Sequence, residues 1–181
     1  MRPIAPALLT TAPLALVAAA LALLAFLPPA AAQEHRHGTG SLVMTFQGPV
    51  LTFDLAVPAA DIVGFEHAPA VDEDFTDIAQ ARAAFTDPSQ VVALPLQAGC
   101  ATDRAEAEFV PLARAAGDQP HASFTVLYEM TCETPARLSS VSFPLFGLYP
   151  SLTALQVRLV VGNAHRDVTV TRDRPQLDLT R

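Results

Sequence analysis

Residues 41–57 read SLVMTFQGPVLTFDLAV. Apolar residues alternate with polar ones on both sides of the Gln-Gly-Pro at 47–49, and a period of two is typical of strands that bury one face. Glycine and proline between the two runs predict a tight turn. The stretch therefore predicts a hairpin with strands over 41–47 and 50–57.

The same alternation recurs along the rest of the chain. It predicts strands over 104–112, 121–132, 137–141, 155–161 and 167–171, with a further edge strand at 176–180. Most of these strands follow one another through short turns. The predicted fold class is α+β, an antiparallel β-sheet with one or two helices packed on one face.

A helix is predicted over residues 72–85. Acidic residues fill its first turn, and Pro88 follows its end. One face is predicted to carry Phe75, Ile78, Arg82 and Phe85. Residues 58–69 are predicted to form an irregular apolar connection. The apolar run 91–96 fits either a buried strand or a short helical piece.

The amino terminus has the three parts of a secretory signal peptide. Arg2 supplies the positive charge, residues 5–27 form an apolar run, and three alanines at 30–32 precede a polar segment. Cleavage after Ala32 predicts an exported single domain over 33–181, with no stable membrane insertion after cleavage. An uncleaved membrane anchor is the alternative, which the prolines within the run disfavour.

The composition argues against two functional classes. A formal net charge of −7 makes nucleic acid an unlikely partner, because phosphate binding needs a basic surface. The chain also lacks Gly-x-Ser-x-Gly, His-Glu-x-x-His and phosphate-binding glycine-loop motifs, so a non-enzymatic protein is predicted. A hydrolytic zinc site with three protein ligands is the remaining catalytic alternative.

The sequence contains two cysteines, Cys100 and Cys132. Paired cysteines in an oxidising compartment usually form a disulfide, and closing this loop stabilises a fold by roughly 3 to 4 kcal/mol in the chain-entropy model. A thiolate metal site is disfavoured, because the two thiols lack C-x-x-C spacing. A Cys100–Cys132 disulfide is therefore predicted.

Histidines are the main candidates for binding chemistry. His35 and His37 form a His-x-His pair, whose imidazoles point to the same side in an extended segment and can share one ion. A flexible polar arm is the alternative. If the mature chain begins at Gln33, His35 is its third residue, which favours a square-planar nitrogen site for Cu or Ni.

Glu66 and His67 follow the second strand of the hairpin. Since His37 precedes the first strand, all these side chains can gather at one end of the hairpin. Glu66 is predicted as a ligand or as an acceptor that fixes an imidazole tautomer. The alternative is a structural turn with His67 capping a backbone carbonyl. His121 opens a strand and is a weaker candidate, and His165, beside a tight turn, is not chosen as a ligand.

The motifs, taken in order, resemble the ZrgA-like family of zinc-binding periplasmic proteins. The matching stretches are His-x-His-Gly at 35–38, Pro-Ala at 58–59, Gly-Phe-Glu-His-Ala-Pro at 64–69, Ala-Gly-Cys at 98–100, the strand 121–132, and Leu-Phe to Tyr-Pro over 145–150. The resemblance implies a bacterial envelope protein that binds zinc and takes part in zinc acquisition or homeostasis. It implies His35, His37, His67, Glu66 and His121 as candidate zinc ligands.

One departure from the family concerns residues 112–120. Relatives commonly carry a His- and Asp-rich stretch there, whereas this chain has no histidine in it. The difference favours a single structured site over a buffer of many ions. The expected partners are a divalent metal ion and a component of a zinc-uptake transporter, and the alternative function is a structural or interaction module of the cell envelope with incidental histidines.

Overall fold

The predicted hairpin is present. In a computed structural model that describes residues 37–111 and 121–180, β1 (Thr39–Gln47) and β2 (Val50–Pro58) pair antiparallel from Ser41 opposite Ala56 to Gln47 opposite Val50. The predicted signal peptide at 1–32 and the proposed copper or nickel site at the mature amino terminus lie outside the described residues.

Six of the described strands form the main sheet. After the hairpin come β3 (Cys100–Pro111), β4 (Ala122–Cys132), β6 (Ala154–Val161) and β7 (Ala164–Thr171), in the spatial order β3-β4-β2-β1-β6-β7. The α+β class is confirmed, since the sheet carries helices.

The expectation of a purely antiparallel sheet is wrong, because β1 and β6 pair in parallel. β4 ends near Pro49, where the Cys132 N–H donates to the Pro49 carbonyl. The chain then returns along the sheet through residues 133–153, so that β6 starts beside Thr39, at the end where β1 starts. Such a returning crossover connection produces parallel neighbours, whereas a tight turn produces antiparallel ones.

The long helix lies where it was predicted, and the described residues contain three shorter ones. These are α1 (Ala59–Val63), α2 (Asp72–Phe85), α3 (Pro88–Val91) and α4 (Leu145–Leu148). The prediction of a wholly irregular connection at 58–69 is wrong in its first part, because α1 continues directly from β2 and ends at Gly64, whose φ of 85° stops the helix.

The face predicted for α2 is buried at Ile78 and Phe85 only, because Arg82 is exposed as well as Phe75. Its buried positions are Asp74, Ile78, Ala81 and Phe85, whereas Phe75 is 56% exposed. Neighbouring residues on a helix point about 100° apart, so a stripe running through 74, 78, 81 and 85 leaves position 75 outside. The open alternatives for 91–96 resolve into the end of α3, a bridge from Ala93 to Ser142, and a 3₁₀ turn from Leu96.

A further small sheet consists of β5 (Ser140–Ser142) and β8 (Gln176–Asp178), paired antiparallel. The predicted strand over 137–141 is thus short and late, because a 3₁₀ turn with proline at its start occupies Pro135–Arg137. The strand predicted at 176–180 pairs with β5 and does not extend the main sheet.

The core lies on one face of the main sheet, beneath the helices. It combines alternate residues of the strands with the inner faces of α2 and α4; its largest fully buried members include Phe53, Phe85, Phe124, Tyr128, Phe143 and Leu145. The Tyr128 hydroxyl donates to the Phe85 carbonyl, joining α2 to the centre of the sheet. Burial raises the pKa of this hydroxyl far above its ordinary value, so it stays protonated as a donor.

The predicted disulfide is confirmed. Cys100 and Cys132 lie directly opposite each other on β3 and β4 and are bonded. Among the described ranges, no helix has the length and apolar character needed to cross a bilayer.

Candidate metal centre

Three chain segments meet at one end of the sheet. β2 lies between β1 and β4 and is antiparallel to both, so its end lies beside the starts of its two neighbours. His37 precedes β1, His121 precedes β4, and Glu66 follows α1, which continues from β2. The sheet topology therefore places one carboxylate and two imidazoles at this end.

The Glu66 carboxylate lies between the two imidazoles. His121 Nδ1–H donates to Glu66 Oε2 at 2.7 Å, and His37 Nδ1 lies 3.7 Å from Glu66 Oε1. The two rings meet edge to face, with centroids 6.4 Å apart. We call His37, Glu66 and His121 the sheet-end cluster.

Exposure differs strongly within the sheet-end cluster. The Glu66 side chain is 15% exposed and that of His121 33%, whereas that of His37 is 65% exposed. Two members are thus largely enclosed by the protein, and the third lies mostly in solvent. An ion can reach this cluster without unfolding of the core.

The backbone beside His37 is held from two sides. The Gly38 N–H donates to Asp61 Oδ2 on α1 at 2.7 Å. The Gly38 carbonyl accepts from the backbone N–H groups of Thr153 and Ala154 and from the Thr153 hydroxyl, at 2.8, 3.0 and 2.8 Å. This strand entry is therefore fixed relative to both α1 and the start of β6.

Asp61 is a buried carboxylate close to the sheet-end cluster. Burial raises the pKa of its carboxyl above the ordinary value, and the Gly38 N–H and the nearby His37 partly offset that rise. The negative charge of Glu66 raises the pKa of Asp61 further. Asp61 is not predicted from the sequence, because a single acidic residue in an apolar connection forms no motif.

His67 points elsewhere. Its Nδ1–H donates to the Ala68 carbonyl at 3.0 Å, its ring stacks on Phe65 at 4.6 Å between centroids, and Nδ1 lies 3.8 Å from Asp74 Oδ2. Among the described residues, no hydrogen bond, ion pair or ring contact joins His67 to His37 or His121. The arrangement matches the alternative of a structural turn in which His67 caps a carbonyl.

The two remaining histidines are His165 and His35. His165 lies on β7 opposite Val160, in a solvent-open groove with Phe46 and Leu159. His35 lies outside the described residues.

The donor atoms of the sheet-end cluster are of kinds that zinc binds, but the distances between them differ from those in a zinc site. Zinc ligand atoms lie about 2.0 to 2.2 Å from the ion, so two of them at a tetrahedral angle are roughly 3.4 Å apart. The two nitrogen-to-oxygen distances at Glu66, 2.7 and 3.7 Å, lie on either side of that value. Within residues 37–111 and 121–180, no three metal-binding side chains already have the arrangement that an ion requires.

An α+β fold with a carboxylate between two imidazoles at one sheet end defines a small protein with a potential cation site. Residues 34–179 match the family described as ZrgA family zinc uptake protein. The match covers most of the chain, so the protein belongs to this family, as the resemblance of its motifs suggested. No curated protein matches the chain.

Proposed function

We propose that this chain is an exported, periplasmic, non-enzymatic protein that binds one zinc ion at the sheet-end cluster and serves zinc acquisition. The observation that carries the proposal is the position of Glu66 between imidazoles from two distant chain segments. Membership in the zinc uptake family supports zinc as the ion. The Cys100–Cys132 disulfide is consistent with an oxidising compartment.

The proposed ligands are His37, Glu66 and His121. Two imidazoles and one carboxylate are a donor set that zinc accepts, with a fourth position left for water or another ligand. His35, two residues before His37, is proposed as a further ligand on its sequence position alone. His67 is proposed to lie outside the ligand set, because its hydrogen bond and ring stack are local.

Zinc binding at this cluster is proposed to compete with protons for the imidazole nitrogens. In the ion-free protein, the His121 Nδ1–H points at Glu66. The nitrogen that binds zinc must be free of its proton, which moves to Nε2 in a neutral ring or to solvent from a protonated ring. Protons and zinc therefore compete for the imidazoles, and zinc binding weakens in acid. The exposure of His37 favours an ion that is passed on, for which a zinc-uptake transporter component is the proposed recipient.

Isothermal titration with zinc, using a competing chelator, tests the proposal on the exported protein. The variant His37→Ala/His121→Ala is expected to lose at least about 100-fold in affinity, because two of three ligands are removed. The matched control is His67→Ala/His165→Ala, which removes two other histidines and is expected to stay within about threefold of wild type.

Equal affinity in both double variants would contradict the proposed site. It would favour the structural or interaction module, in which the histidines are incidental. Export is tested separately by cell fractionation and amino-terminal mass analysis. The expected result is a periplasmic protein that begins at Gln33.

A further inference from the structure

Asp61 is a buried charge that the proposed ligand set does not use. It is 7% exposed and lies on α1, between the end of β2 and the turn that carries Glu66. A buried carboxylate is unfavourable unless hydrogen bonds compensate for the lost water. The Gly38 N–H supplies such a hydrogen bond, 2.7 Å from Asp61 Oδ2.

Gly38 is itself confined by its surroundings. Its φ of 77° lies in the left-handed region, and a Cβ placed on it lies 3.0 Å from the Thr153 hydroxyl oxygen. Its carbonyl is held by Thr153 and Ala154. With Asp61 on the N–H, both polar groups of this peptide unit are bound to different elements of the fold.

His37 directly precedes this fixed residue, whereas its own side chain is mostly exposed. Its described side-chain contacts are the 3.7 Å approach to Glu66 and the ring edge of His121. Neither is strong enough to locate a 65% exposed imidazole by itself. The location of His37 therefore depends on the backbone hydrogen bonds at Gly38.

We propose that Asp61 is a positioning residue for zinc binding: its hydrogen bond to Gly38 holds His37 over Glu66 and His121. The proposal rests on the proposed function of the sheet-end cluster and assigns the specific task of ligand placement to a residue that does not touch the ion. Residues outside the ligand set that orient ligands typically change metal affinity by about 10- to 100-fold when removed.

Two substitutions separate the hydrogen bond from the charge. Asp61→Asn keeps an acceptor oxygen for the Gly38 N–H and is expected to bind zinc within about threefold of wild type. Asp61→Ala removes the acceptor and is expected to lose about tenfold. Asp74→Ala is the matched control, because Asp74 is also a buried carboxylate that accepts backbone N–H groups, here of Ala70 and Val71. It is expected to lower the melting temperature without changing zinc affinity.

A double-mutant cycle distinguishes positioning from general destabilisation. If Asp61 acts through His37, Asp61→Ala has no further effect on zinc affinity in a His37→Ala background. An equal tenfold loss in both backgrounds, or an equal loss in Asp74→Ala, would overturn the proposal.

A zinc-free measurement keeps the two proposals separate. Proton NMR of wild type and Asp61→Asn is expected to show a nuclear Overhauser contact between the His37 and His121 rings and slow exchange of the Gly38 amide; Asp61→Ala is expected to lose both. Retention of both in Asp61→Ala contradicts the positioning role, whatever zinc does. Failure of the proposed function looks different, because zinc affinity is then unchanged in His37→Ala and His121→Ala.

Discussion

Two imidazole–carboxylate pairs lie near the same end of the sheet, and they differ in what the carboxylate does. Glu66 meets His121, 55 residues away, at 2.7 Å, and its described hydrogen-bond and ion-pair partners are imidazoles. Asp74 lies 3.8 Å from His67, but its Oδ2 already accepts the Ala70 and Val71 N–H groups at the start of α2.

The difference separates a binding group from a structural one. The Asp74 oxygen is committed to backbone donors that the helix start would otherwise leave unpaired. Both Glu66 oxygens face groups that can release a proton and bind a cation. Proximity of histidine to a carboxylate therefore does not identify a metal site unless the carboxylate is available.

The largest expected effect is on zinc affinity. Glu66→Ala is expected to weaken zinc binding by about 100-fold, since it removes a proposed ligand and the group that orients two others. Asp74→Ala is expected to change the affinity by less than about threefold. Chelator competition measures both, and a larger loss in the Asp74 variant would reverse the assignment of the two pairs.

Acid is expected to weaken zinc binding by about tenfold or more between pH 7.5 and 5.5. Imidazoles ordinarily take up a proton near pH 6.5, and a protonated imidazole does not ligate. The measurement is a series of zinc titrations in that range. The same curve in His67→Ala is the control, and a pH-independent affinity in wild type would exclude imidazole ligands.

The two substitutions are expected to affect the melting temperature in the opposite order to their effects on zinc affinity. Asp74→Ala is expected to lower the melting temperature by several degrees, because it leaves the start of α2 without its acceptor. Glu66→Ala is expected to have a smaller effect in zinc-free protein, since its partners remain solvated. Calorimetry of both variants measures the difference, and equal melting temperatures would argue that Asp74 does not stabilise α2.

The smallest expected effect is a change in how stability depends on pH. The Ala70 N–H lowers the pKa of Asp74. The ionised Asp74 carboxylate therefore stabilises the fold above the ordinary aspartate pKa, and this stabilisation is lost as the pH falls through the lowered pKa. Burial raises the pKa of Asp61, so its ionisation reduces stability as the pH rises through the raised value. Asp74→Asn is therefore expected to destabilise at neutral pH, and Asp61→Asn to stabilise.

Melting temperatures at pH 3 and pH 7 measure this contrast. Both differences from wild type are expected to shrink at pH 3, where the wild-type carboxyl groups take up protons. Shifts of the same sign in the two variants at pH 7 would contradict the assignment of opposite pKa changes.

Local patterns predicted the parts of the fold that depend on neighbouring residues. Alternating apolar residues predicted the hairpin. Acidic residues and a following proline predicted the bounds of α2, and the presence of two cysteines predicted the disulfide. No local pattern predicted the parallel pairing of β1 with β6, because it depends on the path of residues 133–153 across the whole sheet.

The sequence predicted which chain segments meet at the candidate site better than it predicted which side chains point into it. The meeting of His37 with the turn after β2 follows from hairpin topology, whereas the divergence of Glu66 and His67 depends on backbone angles after Gly64. Adjacent residues in a turn have no fixed relative direction, so the sequence pattern gives no choice between them. Neither hairpin topology nor the sequence pattern predicts a role for Asp61, because that role depends on a contact with Gly38 that only the folded chain shows.

Long-range ¹H–¹⁵N NMR of the histidine rings during a zinc titration tests the central claim most directly, because it observes every imidazole separately. At one equivalent of zinc, the ring nitrogens of His37 and His121 are predicted to shift to values typical of metal-bound imidazole, while those of His67 and His165 stay in place. A shift at His67 or His165 with none at His37 and His121 would contradict the account.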